Sequence, residues 1–478
     1  MKSFVGLYGL GVMGQSLALN MASKSYSVSV FNKFDYERLT VPFIEQKGKK
    51  FKIQGFPTLK EFVNSLERPR KVILMVTAGK AIDEILEEMI PLLDKGDIVA
   101  DCGNSYFKDT MRREADCEKK GIYFFGVGVS GGEKGALTGP SIMPGGNKSV
   151  YDKYLKDLFD TMAAHTTKGE VCCNYIGENG SGHYVKMIHN GIEYGDIQII
   201  CEAYYFMKEA LKLSNKEMAE VFRKWNQGRL NSYLIEITSK ILLKKDEKTG
   251  KDLVDVILDK AGQKGTGEWT SIEALHLGVA APTIAESVFA RCLSAIKKER
   301  MEASLIYTKQ VQQWQGSLKE ALEDLENAVY ASKILSYAQG FDILRQASRE
   351  YHWNLSLGDI ALLWREGCII RAKFLERIKH AYSKNKSLKS LILSDEFKED
   401  LNTAQRGWRN TVSTAIQSGV YMSTITNSLQ YFDGYTSKRL MANLLQAQRD
   451  WFGAHTYQRI DGSENEIFHT DWEGMQEC

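Results

Sequence analysis

The 478-residue sequence lacks any uncharged apolar run long enough to cross a bilayer. Its N-terminus enters a glycine-punctuated apolar stretch at Phe4, so we expect neither a signal peptide nor a transit peptide. Neither sign of charge dominates, since 62 Lys and Arg residues nearly balance 60 Asp and Glu residues. A global field that would attract nucleic acid or an anionic membrane is therefore excluded. We predict a cytoplasmic protein without nucleic-acid or membrane partners.

The eight cysteines are scattered, with no CxxC pair and no second cluster at metal-ligand spacing. This distribution favours a reducing compartment, and it gives no reason to expect a bound metal. The cysteines are Cys102, Cys117, Cys172, Cys173, Cys201, Cys292, Cys368 and Cys478.

Proline is scarce, and none of the seven prolines lies beyond Pro282. The later chain places apolar residues at spacings of three and four, as in 346–378 and 404–429, which predicts long helices. The first third instead alternates short apolar, β-branched runs with amphipathic stretches, which is typical of βαβ crossovers and a parallel, doubly wound sheet. The expected strands are 4–8, 27–31, 71–76, 97–101 and 123–127.

These patterns predict an α/β plus all-α protein in three parts. Residues 1–178 are expected to form a Rossmann-type domain. Residues 179–434 follow a glycine-rich break and are expected to form a large all-helical domain. The polar segment 435–478 is expected to be a C-terminal tail that either frays or docks on another surface.

A Gly-x-Gly-x-x-Gly motif follows the first expected strand and opens the first expected helix. Gly9 would make the tight turn, Gly11 would let the backbone approach a pyrophosphate, and Gly14 would let the helix pack on the strand. The helix N-terminus would then hold the phosphates. A glycine-rich turn without a ligand is the alternative, but the position of the motif favours dinucleotide binding.

The second expected strand ends at Asn32-Lys33, where an NAD enzyme normally carries an acidic residue for the ribose 2'-hydroxyl. A neutral amide beside a cation suits a 2'-phosphate instead. This favours NADP, although Lys33 could also be an ordinary solvated loop lysine.

The segment 184–194 places a polar set at positions i, i+3, i+4, i+7 and i+8 of a predicted helix, and these residues share one face. A solvated surface helix could show the same spacing, but the variety of residue types favours a binding wall. A lysine with a lowered pKa can take a hydroxyl proton as hydride leaves, and a glutamate can later give a proton to carbon. The set is Lys186, His189, Asn190, Glu193 and Tyr194.

Three further clusters suit a polyanionic ligand. The loop Ser130-Gly131-Gly132 offers a hydroxyl and free backbone N–H groups for a carboxylate. Residues 261–269 set a lysine and a threonine among glycines, which suits a phosphate. Arg449 and His455 flank an aromatic pair in the tail. A tight turn, a loop and a solvated tail are the respective alternatives.

Five stretches spread over nearly the full length carry a specific resemblance. They are GLGVMG (9–14), GVSGGEKGALTGPSIMPGG (128–146), HYVKMIHNGIEYGD (183–196), ILDKAGQKGTGEWT (257–270) and QAQRDWFGAHTY (446–457). With these stretches the chain resembles the 6-phosphogluconate dehydrogenase family of the pentose phosphate pathway. The resemblance implies conversion of 6-phospho-D-gluconate and NADP+ to D-ribulose 5-phosphate, carbon dioxide and NADPH.

The resemblance also implies residue roles. Lys186 is expected to deprotonate the C3 hydroxyl and then donate to the ketone oxygen during decarboxylation, and Glu193 to protonate C1 of the enediol. Arg449 and His455 are expected to reach the substrate from the partner subunit of a homodimer, whose interface the helical domain would form. The other substrate-binding residues implied are Asn104, Ser130, Gly131, Gly132, His189, Asn190, Tyr194, Lys264, Thr266 and Arg291. The cofactor-binding residues implied are Gly9, Leu10, Gly11, Val12, Met13, Gly14, Asn32, Lys33, Phe34, Val76, Thr77, Ala78 and Asn104.

The sequence departs from the family pattern at three places. Lys33-Phe34 replaces the usual Arg-Thr, Thr77 replaces a lysine, and Leu137 replaces an arginine. Lysine cannot stack on adenine or grip a phosphate through two N–H groups as arginine does, so the strictness of NADP over NAD stays open. Nothing in the sequence gives the consequence of Leu137.

Two other readings compete. A β-hydroxyacid dehydrogenase of the 3-hydroxyisobutyrate type shares the glycine motif and a helix lysine, but such enzymes are much shorter and have no use for Lys264, Arg291 or Arg449. A non-catalytic NADP-binding protein is expected to have lost Lys186 or Glu193, and both are present.

Overall fold

The computed structural model describes residues 2–463, 465–472 and 474. The chain forms two compact units, Met1–Ser428 and Leu429–Cys478. The first unit contains a seven-stranded sheet and a large set of helices, which confirms the α/β plus all-α prediction. The domain boundaries expected at 178/179 and 434/435 stay predictions.

The sheet has the strand order β3-β2-β1-β4-β5-β6-β7. Strands β1 to β6 are parallel, and β7 pairs with β6 in the antiparallel sense. The five expected strands are confirmed, whereas β3 and β7 were not predicted. The strands are β1 (Val5–Tyr8), β2 (Val28–Phe31), β3 (Ile53–Phe56), β4 (Lys71–Leu74), β5 (Ile98–Asp101), β6 (Tyr123–Ser130) and β7 (Ser141–Gly145).

Helices cover both faces of the sheet, so its central strands are buried throughout, as parallel strands between two helical layers must be. The helices that connect or flank these strands are α1 (Val12–Ser23), α2 (Val41–Phe43), α3 (Leu59–Asn64), α4 (Lys80–Met89), α5 (Phe107–Glu118), α6 (Gly132–Thr138), α7 (Lys148–Val150) and α8 (Lys156–Met162). Single 3-10 or π turns occupy Tyr36–Thr40, Ile44–Gly48, Ile90–Leu92 and Tyr151–Leu155.

The rest of the described chain is helical apart from its loops. Its helices are α9 (Ser181–Glu209), α10 (Asn215–Trp225), α11 (Tyr233–Ile241), α12 (Leu253–Val256), α13 (Thr266–His276), α14 (Pro282–Ala295), α15 (Lys297–Ile306), α16 (Leu318–Glu350), α17 (Leu357–Leu363), α18 (Leu375–Lys384), α19 (Asp395–Gln417), α20 (Ser423–Thr436) and α21 (Ala442–Gly453), with a 3-10 turn at Leu391–Leu393.

The runs 346–378 and 404–429 are helical as expected, but neither is one continuous helix. In the first, α16 ends at Glu350 and is followed by His352 and Asn354, both with positive φ. In the second, α19 ends at Gln417 and Gly419 has φ +64°. Left-handed residues stop a helix even where the apolar spacing continues beyond them.

Helix α9 lies against the sheet with its first turn. A Cβ on Gly182 would come within 2.2 Å of the Gly126 carbonyl oxygen, so only glycine permits this approach. The buried ring of His183 donates from Nε2 to the Asp101 carbonyl (3.0 Å) and accepts from the Thr110 hydroxyl (2.7 Å). The first turn of α9 is therefore in direct contact with the end of β5, the middle of β6 and the first turn of α5.

The second unit folds its extended end around the carboxylate of Asp450. Its oxygens accept from the backbone N–H groups of Thr456 (2.9 Å) and Thr470 (3.1 Å) and from the indole of Trp472 (2.9 Å). An antiparallel bridge joins Tyr457 and Phe468. The described part of this tail is thus folded rather than frayed. The predictions for Cys478 and for the rest of the extreme C-terminus lie outside the described residues.

Candidate active site

The glycine motif forms the turn between β1 and α1. Gly9 has φ +104°, and a Cβ on it would lie 2.4 Å from the Met75 carbonyl oxygen. A Cβ on Gly14 would lie 1.8 Å from the Gly9 carbonyl oxygen, whereas one on Gly11 would meet nothing within 4 Å. Gly9 and Gly14 therefore serve the turn and the packing, and Gly11 leaves open space that suits a pyrophosphate. Leu10, Val12 and Met13 complete this turn.

The three residues after β2, Asn32, Lys33 and Phe34, are here called the β2 edge. The Asn32 side chain accepts from the Leu10 backbone N–H (3.0 Å) and donates to the Phe34 carbonyl (2.7 Å), so it holds the turn together. The Lys33 ammonium lies 2.7 Å from a Glu88 carboxylate oxygen, and this hydrogen bond raises the pKa of Lys33. The Phe34 ring is 69% exposed. Sequence reasoning missed Glu88, which lies 55 residues from Lys33.

Two more loops lie at the carboxyl ends of the parallel strands. Val76, Thr77 and Ala78 follow β4, and Thr77 is exposed. Asn104 follows β5 and is also exposed. These ends are where open α/β sheets bind ligands.

Five residues of α9, Lys186, His189, Asn190, Glu193 and Tyr194, are here called the α9 face. Four of them are buried, with Lys186 5% and His189 0% exposed, and Glu193 is partly buried with 22% of its side chain exposed. The alternative of an ordinary surface helix is therefore wrong. Burying this many polar side chains is unfavourable unless they contact one another or a ligand.

His189 links the members of this face. Its Nδ1 lies 3.4 Å from the Lys186 Nζ, 3.1 Å from the Asn190 Oδ1 and 3.8 Å from a Glu193 carboxylate oxygen. Its Nε2 lies 3.3 Å from the Ser130 hydroxyl at the end of β6. The carboxylate-binding loop predicted from the sequence is thus brought to the α9 face.

Burial sets the protonation of these groups. Burial lowers the pKa of Lys186, although the charge of Glu193 acts to raise it. Burial likewise raises the pKa of Glu193, although the charge of Lys186 acts to lower it. Burial, followed by the charge of Lys186, also holds the pKa of His189 well below its usual range, so the imidazole is neutral. A lysine that loses its proton more readily and a carboxyl that keeps its own are suited to opposite proton transfers.

Gly128, which sequence reasoning did not single out, makes room for the lysine. A Cβ on Gly128 would lie 2.5 Å from the Cβ of Lys186. Gly131 (φ +129°) precedes α6 and Gly132 (φ +61°) is its first residue, and a Cβ on Gly131 would lie 2.5 Å from the Gly367 carbonyl oxygen. Nothing in the structure explains the leucine at position 137, which is 43% exposed.

The next turn of α9 meets the N-terminus of α13. The Arg291 guanidinium stacks on the Tyr194 ring, 3.4 Å from its centroid, and Gly267 approaches the same ring so closely that a Cβ would lie 2.6 Å from it. Thr266 is buried at the first position of α13, and Lys264 is exposed in the loop before it. An N-terminal helix end with two cations and a hydroxyl suits a phosphate group.

Residues 364–368 close the other side of the α9 face. The Trp364 ring stands edge-on to His189 with centroids 5.5 Å apart. Cys368 is buried and its thiol hydrogen-bonds the Trp364 carbonyl (3.1 Å). Burial raises the pKa of this thiol. No local pattern in the sequence could have indicated this wall.

Arg449 and His455 belong to the second unit. The Arg449 guanidinium donates to Gln446 (3.2 Å), and the His455 ring stands edge-on to Phe452. Both side chains are exposed. Within the described ranges of the chain, no group of three or more His, Cys, Asp or Glu residues could hold a metal ion.

Family models match both parts of the chain. Residues 4–177 match the NAD binding domain of 6-phosphogluconate dehydrogenase, and residues 182–472 match the 6-phosphogluconate dehydrogenase C-terminal domain.

Relatives of similar length share about half of the sequence. "6-phosphogluconate dehydrogenase, decarboxylating" of Mus musculus is 50% identical over 98% of this chain and 96% of its own length. The enzyme of that name from Staphylococcus aureus (strain N315) is 51% identical over 99% of both. A solved structure of Plasmodium falciparum 6-phosphogluconate dehydrogenase, described in apo form and in complexes with its cofactor NADP+ and its substrate 6-phosphogluconate, superimposes with a TM-score of 0.93. It is 45% identical, covering 98% of this chain and 100% of that one.

Proposed function

The chain belongs to the 6-phosphogluconate dehydrogenase family, and we propose that its α9 face carries out the proton transfers of the family reaction. The protein is an NADP-dependent oxidoreductase that converts 6-phospho-D-gluconate to D-ribulose 5-phosphate and carbon dioxide. The assignment of individual residues is our proposal, and the burial of Lys186 beside Glu193 carries it.

The β1 to α1 turn fits the cofactor. The open space above Gly11 receives the pyrophosphate, with Val76, Thr77, Ala78 and Asn104 on the neighbouring loops. Lys33 reads the 2'-phosphate, for which it must leave Glu88. When bound, NADP+ accepts the hydride that leaves C3 of the substrate.

Lys186 accepts the proton of the C3 hydroxyl, because burial has lowered its pKa and it reaches the neutral form more readily. The protonated lysine then donates a hydrogen bond to the new ketone oxygen at C3, which draws electrons from the breaking C1–C2 bond as carbon dioxide leaves. Glu193 gives its proton to the substrate carbon that lost the carboxylate, and its raised pKa keeps that proton available.

The remaining site residues bind the two charged ends of the substrate. Ser130, Gly131 and Gly132 hold the carboxylate with backbone and hydroxyl donors, and His189, Asn190 and Asn104 hold the hydroxyls. Tyr194, Lys264, Thr266 and Arg291 hold the phosphate at the N-terminus of α13.

We further propose a homodimer in which the tail 435–478 brings Arg449 and His455 to the partner's substrate. An exposed apolar surface on α14 and α15 supports this, because patches of this kind mark protein interfaces. Its most exposed members are Phe289 (65%), Met301 (56%), Leu305 (89%) and Ile306 (73%). In this proposal residues 1–178 bind the cofactor and residues 179–434 bind the substrate and form the dimer.

A shared site can be tested by mixing two inactive variants, Lys186→Met and Arg449→Gln. Random reassociation gives one intact site in each mixed dimer and restores about a quarter of wild-type activity, if each site combines Lys186 of one subunit with Arg449 of the other. If both residues serve the same subunit's site, mixing restores nothing, and the shared-site proposal is wrong.

The reaction itself is checked in one assay. Absorbance at the NADPH band is followed with 6-phosphogluconate and NADP+ while the released carbon dioxide is captured. We expect one carbon dioxide per NADPH. Equal turnover of non-phosphorylated hydroxyacids would contradict the phosphate assignments to Lys264, Thr266 and Arg291.

We propose a cytoplasmic location, supported by the free state of all seven cysteines that the structure describes. Among the described residues, no helix is both long and apolar enough to span a membrane. Cell fractionation with a reduced-thiol assay tests the location.

A further inference from the structure

A polar cavity lies between the end of α16, the start of α17 and α18. None of the residues around it belongs to the α9 face. We call it the α16–α18 cavity. Its volume is about 370 Å3, within the range of small-molecule sites of about 300 to 1,000 Å3. The side chains around it include four cations, four serines and no carboxylate. The residues are Arg345, Ser348, Arg349, Leu355, Ser356, Leu357, Gly358, Lys379, Tyr382, Ser383, Lys386 and Ser387.

The cations of this cavity are only partly neutralised. Lys379 lies 2.6 Å from an Asp359 oxygen. Arg349 and Lys386, by contrast, form no ion pair with any residue that the structure describes. Asp342 lies close enough to Arg345 for their charges to interact. Burial raises the pKa of this carboxyl to about 7, although a hydrogen bond from Ser390 and the charge of Arg345 both act to lower it. Near neutral pH the cavity therefore keeps a net positive charge.

Two donors and one acceptor beside the cavity are buried without a hydrogen-bond partner among the described residues. The Tyr382 hydroxyl is buried without a hydrogen-bond partner among the described residues, on a side chain that is 6% exposed. The Arg345 Nε is buried and unpartnered as well. The acceptor is the Asp342 Oδ1, and the charge of this carboxyl acts on both Arg345 and Tyr382. Buried donors without acceptors are unfavourable, and an anion that reached them would supply the acceptor that they lack.

The hydroxyl groups of the four serines, by contrast, already have hydrogen-bond partners. Ser356 donates to Asp359 (2.6 Å), Ser383 to the Lys379 carbonyl (2.9 Å) and Ser387 to Asn385 (2.8 Å), while Ser348 accepts from the Leu355 N–H (2.8 Å). An occupant would be held by the cations and the tyrosine, not by the hydroxyl groups of the serines.

We propose that the α16–α18 cavity is a second anion site that binds the phosphate group of a small ligand through Arg345, Arg349, Lys386 and the Tyr382 hydroxyl. Three cations around one space favour an ion with more than one negative charge over a monocarboxylate. Two of them are arginines, whose forked donors match phosphate oxygens. The site is separate from the α9 face, and it does not depend on the roles proposed there.

Inorganic phosphate is the probe, titrated calorimetrically into the full-length protein at constant ionic strength with acetate as the monoanion control. Wild type is expected to show two classes of phosphate site and no comparable binding of acetate. Arg291→Gln should remove the class at α13 and leave the cavity class.

The double variant Arg349→Gln, Lys386→Gln changes only exposed side chains, and it should weaken the cavity class at least tenfold while leaving kcat/KM for 6-phosphogluconate unchanged. The charge-matched control is Lys389→Gln, Lys398→Gln, which removes two exposed lysines outside the cavity. It should change phosphate affinity less than twofold.

Three outcomes overturn the proposal. They are a single class of phosphate site that Arg291→Gln abolishes, equal loss of affinity in the cavity and control variants, and acetate binding as tight as phosphate binding. Tyr382→Phe tests whether the ligand reaches the buried hydroxyl. Loss of this hydroxyl should weaken phosphate binding several-fold without changing the thermal midpoint of the unliganded protein by more than a few degrees. Unchanged affinity in this variant would exclude Tyr382 from the site.

Discussion

The α9 face and the β2 edge differ in how far water reaches them. On the α9 face, Lys186 is 5% exposed and every side chain touches another polar group or ring of the site. At the β2 edge, the Phe34 ring is 69% exposed and Lys33 is paired with Glu88 on the protein's own surface. In the proposed function, burial sets the pKa values of Lys186 and Glu193 before substrate arrives. In the same proposal, Lys33 exchanges Glu88 for the cofactor phosphate, so we expect cofactor selectivity at the β2 edge to be a difference between two weak interactions.

The largest effect is expected on the α9 face, from Lys186→Met. The change removes the proton acceptor but keeps the length and apolar stem of the side chain, so turnover should fall by about 10³-fold or more. The dissociation constant of 6-phosphogluconate, measured by equilibrium binding, should change little by comparison. Substantial kcat in this variant would contradict the role of the lysine.

Glu193→Gln should lower kcat by about 10²-fold, because it removes the proton donor to carbon. Its pH profile gives a sharper reading. Burial raises the pKa of Glu193, so wild type keeps its acid protonated to higher pH than an exposed glutamate would and loses activity above it. The residual kcat/KM of the variant should instead rise with pH through the titration of Lys186 alone. A profile of unchanged shape would exclude Glu193 as the acid.

An intermediate effect is expected at the glycine turn, where Gly11→Ala and Gly14→Ala form a matched pair. The first should leave stability unchanged and raise the KM for NADP+ about tenfold, which corresponds to about 1.4 kcal/mol. The second should lower the free energy of unfolding by about 1–3 kcal/mol, because its Cβ meets backbone. Thermal melts and cofactor kinetics separate the two. Tight cofactor binding by Gly11→Ala would mean that the open space is not the pyrophosphate site.

The smallest effects are expected at the β2 edge. Lys33→Gln should lower the ratio of kcat/KM for NADP+ over NAD+ about two- to fivefold, and Glu88→Gln should raise it by a similar factor because it frees the lysine. Glu87→Gln on the same helix is the control. A ratio that responds to none of these changes would mean that Lys33 does not read the 2'-phosphate.

The sequence patterns that predicted the fold were those with a local cause. The run Val28–Phe31 is apolar apart from Ser29 because both faces of the strand are buried. Strand β3 (Ile53–Phe56) escaped prediction because only Ile53 is buried, and β7 (Ser141–Gly145) because it carries Pro144 and Gly145. Both are edge strands, where the apolar and β-branched signal is weakest.

The same distinction holds in the site. The spacing of Lys186 and Glu193 identified the α9 face, since both lie on one helix. The pairing of Lys33 with Glu88, the room left by Gly128 and the wall at Trp364 each join segments far apart in the chain. Such contacts follow from the tertiary fold, and no periodic pattern in a single sequence predicts them.

The hydrogen bonds between His183 and the sheet domain affect how far α9 can move relative to the sheet. His183 lies one turn before Lys186, and its ring is hydrogen-bonded to Asp101 at the end of β5 and to Thr110 in the first turn of α5. The glycine contacts at Gly182 and Gly128 lock the same turn against β6. The sheet and Lys186, the proposed proton acceptor, are therefore joined through the direct contacts of this one turn. We therefore expect substrate to enter and leave by movement of segments outside this turn, such as the exposed stretch before α13 that carries Lys264.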